Sequence, residues 1–100
     1  MKKIYRRDFE IQIENNINVI VCTIDNDDSC VKCVEELDEF SKKYPMTEFS
    51  EYNVIMDVDI NEKYDISYPP YILIFQDGKL INKFGYTNIQ DFSEKLQSTF

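Results

Sequence analysis

Between residues 19 and 44 the chain passes from an apolar run, through a polar turn, into an amphipathic segment, and two cysteines stand at the junction. Val19-Ile20-Val21-Cys22-Thr23-Ile24 is β-rich and nearly all apolar, the pattern of a strand covered on both faces. Asp25-Asn26-Asp27-Asp28-Ser29 is a polar turn, with Asp28 or Ser29 placed to cap a following helix. Cys33, Val34, Leu37, Phe40 and Tyr44 then follow helical spacing, with Lys32, Glu35, Glu36, Asp38, Glu39, Lys42 and Lys43 on the wet side. Pro45 ends that helix. A doubly covered strand leading into a helix with one apolar stripe points to a layered α/β architecture.

Cys30-Val31-Lys32-Cys33 therefore falls at the first turn of a helix. There the sulfurs can reach each other without unfolding anything, and the first thiol lies near unpaired N–H groups that favour negative charge. The thiolate is the form that attacks disulfides. Cys30, nearer the helix start and solvent, is the expected nucleophile, and Cys33, one turn inward, the expected resolving thiol. The helix N-terminus lowers the pKa of Cys30 while Asp25, Asp27 and Asp28 raise it, so the expectation is a mildly acidic thiol.

Other uses of the cysteines are weaker. A CxxC pair alone arises by chance. Zinc needs four ligands, and with no histidine in the chain it would have to use Cys22, Cys30, Cys33 and a carboxylate such as Asp25 or Asp28. A structural disulfide across so short a loop gains little, because the stabilisation grows with loop length. The expectation is no metal and no cofactor. Cys22, inside an apolar strand, is assigned to core packing.

A length of 100 residues sets the expectation of one domain, residues 1–100, and 43% apolar residues argue against disorder. A net charge of −8 disfavours nucleic acid and anionic membranes as partners. Lys2-Lys3 and Arg6-Arg7 are short basic clusters that read as a solvated terminus. No apolar stretch approaches the roughly 20 residues of a membrane span. Met1-Lys2-Lys3 is not followed by an apolar leader segment, so the expected location is cytoplasmic and the expected state a monomer.

Elsewhere, Ile4-Tyr5-Arg6 is a short strand candidate. Asp8 to Asn15 carries Phe9, Ile11 and Ile13 in strict alternation, which by periodicity alone is a strand. Asn53 to Asp59 is an apolar strand, Tyr71 to Phe75 another, and Leu80 to Phe84 a fourth after the turn Gln76-Asp77-Gly78-Lys79, where Gly78 supplies a positive φ. Thr87 is placed to cap a last helix with Gln90 as its capping-box partner, and Ile89, Phe92, Leu96 and Phe100 form its stripe. Strands separated by helices imply parallel crossovers, and the Gly78 hairpin adds an antiparallel edge. The CxxC then follows the carboxyl end of a central strand, where active sites of open α/β sheets lie.

The stretch Lys63-Tyr64-Asp65-Ile66-Ser67-Tyr68-Pro69-Pro70-Tyr71-Ile72-Leu73-Ile74-Phe75-Gln76-Asp77-Gly78-Lys79 resembles the second signature of the thioredoxin family. Gly85 and the segment to Phe100 resemble that family's closing glycine and last helix. With the CxxC helix the resemblance spans roughly residues 18 to 100. It implies an α/β thioredoxin fold: a central mixed β-sheet, parallel in its core with an antiparallel C-terminal hairpin, flanked by helices. It also implies that Asp8 to Asn15 is a helix, against the alternation. Pro70 should be a cis-proline facing the dithiol. The substrate groove should be built from Ser29, Val31, Lys32, Pro69, Pro70, Tyr71 and Gly85, with Tyr68 and Tyr71 flanking it.

The implied activity is reduction of protein disulfides, with a thioredoxin-reductase-like or other dithiol reductant as partner. Departures from the pattern are Ser29 in place of tryptophan, Val31-Lys32 in place of Gly-Pro, and no clear match to the family's buried acid, so proton transfer to Cys33 is expected through water or Lys32. A glutaredoxin-like, glutathione-dependent reading fits less well, since Tyr68-Pro69-Pro70 replaces Thr-Val-Pro and no Gly-Gly pair follows. A non-catalytic adaptor on the same fold, binding partner peptides, is the other alternative.

Overall fold

The computed structural model describes residues 1–100. The element order is β1 (Lys2–Ile4), α1 (Arg6–Ile13), β2 (Ile17–Thr23), α2 (Asp28–Ser41), β3 (Thr47–Asn53), α3 (Val58–Lys63), β4 (Tyr71–Gln76), β5 (Lys79–Gly85) and α4 (Ile89–Thr99), with a 3₁₀ turn over Val54–Met56. The five strands form one sheet in the order β1-β3-β2-β4-β5. β1, β3 and β2 run parallel, and the β4–β5 hairpin joins β2 through an antiparallel pairing. The hairpin turn has positive φ at both Asp77 and Gly78, the backbone twist that lets a two-residue turn match strand twist.

Two apolar clusters cover the two faces. On one, Val19, Val21, Phe49, Ile72 and Ile74 of the sheet meet Cys33, Leu37 and Phe40 of α2 and Phe92 and Leu96 of α4. On the other, Ile20, Cys22, Tyr52, Leu73 and Phe75 meet Phe9 and Ile13 of α1 and Ile60 of α3. β2 sits between them with Asn18 to Thr23 all buried, which is why its sequence shows almost no alternation.

Several expected elements shift. The alternating Phe9, Ile11 and Ile13 belong to a helix, as the family resemblance implies and periodicity does not: Phe9 and Ile13, four apart, are buried, whereas Ile11 is 71% exposed. The i, i+4 pair faces the sheet and Ile11 is a solvent-side residue that imitates a strand pattern. β1 ends at Ile4, and Arg6, expected in a strand, opens α1. The strand expected over Asn53 to Asp59 lies earlier, over Thr47–Asn53. The apolar Val54-Ile55-Met56 runs past the sheet as a 3₁₀ turn, since the Asn53 side chain accepts the Ile55 N–H at 3.0 Å and stops the ladder. Caps move by one residue as well. Asp27, and neither Asp28 nor Ser29, caps α2, and Asn88 caps α4 by accepting the Asp91 N–H at 2.8 Å, leaving Thr87 to donate to the Asp91 carboxylate. Phe100 is exposed beyond the apolar stripe of α4.

Candidate functional site

β2 ends at Thr23, the polar turn follows, and α2 begins at Asp28, so the turn delivers Cys30 to the third position of the helix. Asp27 Oδ1 accepts the Cys30 N–H at 2.9 Å, which satisfies one orphan donor of the helix start and holds the cysteine in register. All three cysteines are free thiols. Cys30 is 2% exposed and Cys33 fully buried against the sheet. Cys22 belongs to the cluster on the opposite face of the sheet from Cys33, so the three sulfurs do not converge.

Beside the dithiol lies a groove of about 450 Å³ lined by Ser29, Lys32, Pro69, Pro70 and Gly85, together with Tyr68, Glu36 and Tyr86. Its far wall is the Pro69–Pro70 peptide, which is cis. The hydrogen bond from the Tyr86 N–H to the Pro70 carbonyl, 3.0 Å, ties that wall to the segment after β5. Two expected groove residues stand elsewhere. Tyr71 has the parity of Leu73 and Phe75 on β4 and packs into the α1 cluster, because alternate strand residues face opposite sides. Val31, 53% exposed, lies in a separate cleft of about 280 Å³ on the other side of Cys30, with Ile24, Asp25, Val34 and Glu51. Cys30 lines that second cleft.

The electrostatics depart from the expectation of a mildly acidic thiol. The Cys30 thiol is pushed above its ordinary range, first by burial and then by the Asp27 and Glu51 carboxylates, with a hydrogen bond from the Ile24 backbone acting the other way. Asp27 both takes the helix amide nearest the sulfur and sets a negative charge beside it, so the helix N-terminus gives the thiolate little. Cys33 is pushed up to about 12, chiefly by burial and further by Cys30, Glu36 and Glu51.

Asp27→Asn isolates the charge, since asparagine caps a helix about as well as aspartate. Alkylation of Cys30 at pH 7, followed by peptide mass, is expected to quicken about fivefold, the equivalent of about 1 kcal/mol of close-range repulsion in water. The inflection of the rate should fall with it. An unchanged profile would show that burial alone sets the acidity.

Three acidic or phenolic groups near the thiols went unmarked in the sequence. Glu51 comes from β3 and accepts the Thr23 hydroxyl at 2.9 Å. It sits in a polar segment whose strand character only the sheet reveals. Glu36, placed on the wet side by helical spacing, is half-buried and accepts the Tyr86 hydroxyl at 2.6 Å. The signal available was weak: Glu36 is one turn beyond Cys33, and Tyr86 follows Gly85.

No protein-family model matches the chain, and a search of curated proteins finds no match. Solved structures do match. A thioredoxin of Plasmodium falciparum superimposes at a TM-score of 0.89 with 17% identity, covering 98% of each chain. Mitochondrial thioredoxin 3 of Saccharomyces cerevisiae, in its oxidised form, gives 0.87 and 21% identity over 98% of this chain and 94% of its own. Fasciola hepatica thioredoxin gives 0.84 and 16% identity over the whole of both. The chain has the thioredoxin fold.

Proposed function

We propose that this protein is a thiol-disulfide oxidoreductase that reduces protein disulfides through Cys30 and Cys33. The observation that carries the reading is the pair of free thiols in the first turns of α2, at the carboxyl end of a central strand, beside a groove walled by Pro69 and Pro70. Fold alone does not assign an activity, but this site can perform the exchange. Cys30, as thiolate, attacks one sulfur of a substrate disulfide. The Cys30–substrate bond forms, and the other substrate sulfur leaves as a thiolate. Cys33 then attacks Cys30, closing a Cys30–Cys33 disulfide and releasing the second substrate thiolate. The substrate is reduced and the protein oxidised by one electron pair, which a thioredoxin-reductase-like or other dithiol reductant returns.

The surroundings of Cys30 favour the reducing direction, and the shape of the groove favours a peptide substrate. A thiolate that its surroundings stabilise weakly leaves the disulfide form relatively favoured, which makes the dithiol a donor of electrons. Cys30 has such surroundings. The groove is open and lined by side chains of mixed character, suited to an extended peptide around a substrate cysteine. The reading places the protein as a monomer in a reducing compartment such as the cytoplasm.

Insulin reduction by dithiothreitol, followed as turbidity, tests it. Catalytic amounts of the protein are expected to shorten the lag. No acceleration across a hundredfold range of protein concentration would leave a peptide-binding adaptor as the better account.

A further inference from the structure

The proposed exchange requires a destination for one proton. Cys33 must lose its S–H proton as it attacks Cys30, yet it is fully buried and its thiol is pushed up to about 12. A thiol raised so far by burial is almost wholly protonated near neutral pH, and its attack calls for a base. The titratable groups near enough to act on the Cys33 charge are Cys30 and Glu36 on α2, Glu51 on β3 and Tyr86 after β5, with Cys22 acting through the sheet from its other face.

Of the two carboxylates, Glu51 is engaged by Thr23 and opens into the cleft on the Cys30 side. Glu36 stands one helical turn from Cys33, where side chains three apart are neighbours with Cβ atoms about 5–6 Å apart. It lines the groove with Pro69 and Pro70. The Tyr86 hydroxyl donates to Glu36 Oε1 at 2.6 Å, the length of a charge-assisted O–H···O⁻ bond. The Tyr86 phenol is itself pushed upward by burial and by Glu36, so it remains a donor across the neutral range. Lys32, Glu39 and Lys43 flank Glu36 on α2.

We propose that Glu36, held in place by the Tyr86 hydroxyl, accepts the Cys33 proton in the resolving step. The inference rests on the dithiol reading given above. In that step the Cys33 S–H proton passes to the Glu36 carboxylate, the Cys33–Cys30 bond forms and the Cys30–substrate bond breaks. The electron pair leaves on the substrate sulfur, and Glu36 then returns its proton to that thiolate or to water. Tyr86 is a positioning residue, acting through Glu36.

Stopped-flow reaction of the reduced protein with 5,5′-dithiobis(2-nitrobenzoate) separates the steps. Attack by Cys30 releases the first thionitrobenzoate and attack by Cys33 the second. If the unaltered protein releases only one, the dithiol reading fails. If it releases two, Glu36→Gln is expected to leave the first phase intact and slow the second about 100-fold at pH 7, the scale of a positioned general base. The deficit should shrink as pH rises and solvent hydroxide takes over.

Tyr86→Phe, which keeps the ring packing, should slow the same phase less and with the same pH dependence. Glu51→Gln should not slow it. A faster second phase in Glu36→Gln would mean that Glu36 acts only as a charge that hinders ionisation of Cys33. That result overturns the proposal. So does an unchanged phase, a slowing equal at every pH, or a loss found only in Glu51→Gln.

Discussion

With Cys33 replaced by serine, the protein is expected to accumulate as a mixed disulfide through Cys30, and turnover should fall on the order of 10³-fold or more, the scale seen when one member of a catalytic unit is removed. In the proposed exchange, Cys33 is the thiol that displaces substrate from Cys30, and the serine variant lacks it. Cys22 cannot stand in, because it is fully buried in the cluster on the opposite face of the sheet. Cys30→Ser should abolish turnover to the same degree and trap nothing. The measurement is a mobility shift on non-reducing gels after incubation with a disulfide substrate, reversed by dithiothreitol. Adducts formed by Cys30→Ser and not by Cys33→Ser would exchange the two roles.

The second large effect concerns the layer under the dithiol. Phe92 on α4 is fully buried and packs against Phe40, Phe49, Phe84 and Tyr86, with ring centroids 5.3 to 6.3 Å away. Phe92→Ala leaves a cavity among large rings that cannot close over it, and such changes cost about 3–5 kcal/mol. Against a total stability of about 5–15 kcal/mol, that is a large share. At about 4–8 °C per kcal/mol for a chain of this size, the midpoint should drop by about 12–40 °C. Ile11→Ala, by contrast, should stay within about 0.5 kcal/mol because the side chain is in water. Thermal and urea unfolding of both variants checks this. A cost at Ile11 like that at Phe92 would mean that the alternation of Phe9, Ile11 and Ile13 marks a buried face and α1 is misplaced.

The elements that read correctly share a physical trait: their signal is local. β2 is apolar because both its faces are covered. α2 shows its stripe because Cys33, Leu37 and Phe40 meet one face of the sheet. The Asp77-Gly78 turn needs positive φ, which few residues supply. The failures were of another kind. Periodicity failed at Phe9, Ile11 and Ile13, where the family resemblance points to the helix that forms: they satisfy a period of two, and only the position of α1 over the sheet decides which of them is buried. The residues Thr47–Asn53 look too polar for a strand, yet β3 lies between β1 and β2, with its backbone paired on both edges.

The site divides along the same line. The spacing of Cys30 and Cys33, their place after an apolar strand, and the Pro69-Pro70 pair ahead of another are properties of the chain in one dimension, and they were legible there. Which charges stand beside the thiols was not. Glu51 reaches them from a neighbouring strand, and Tyr86 meets Glu36 across fifty residues of sequence. The acidity of a thiol depends on its depth and on charges within a few ångströms, whatever their separation along the chain. Local pattern along the chain was enough to place a dithiol at the start of a helix over a mixed sheet. That burial and carboxylates from distant parts of the chain push both thiols upward, and that a half-buried carboxylate stands one turn from the deeper one, emerges only when the elements pack together.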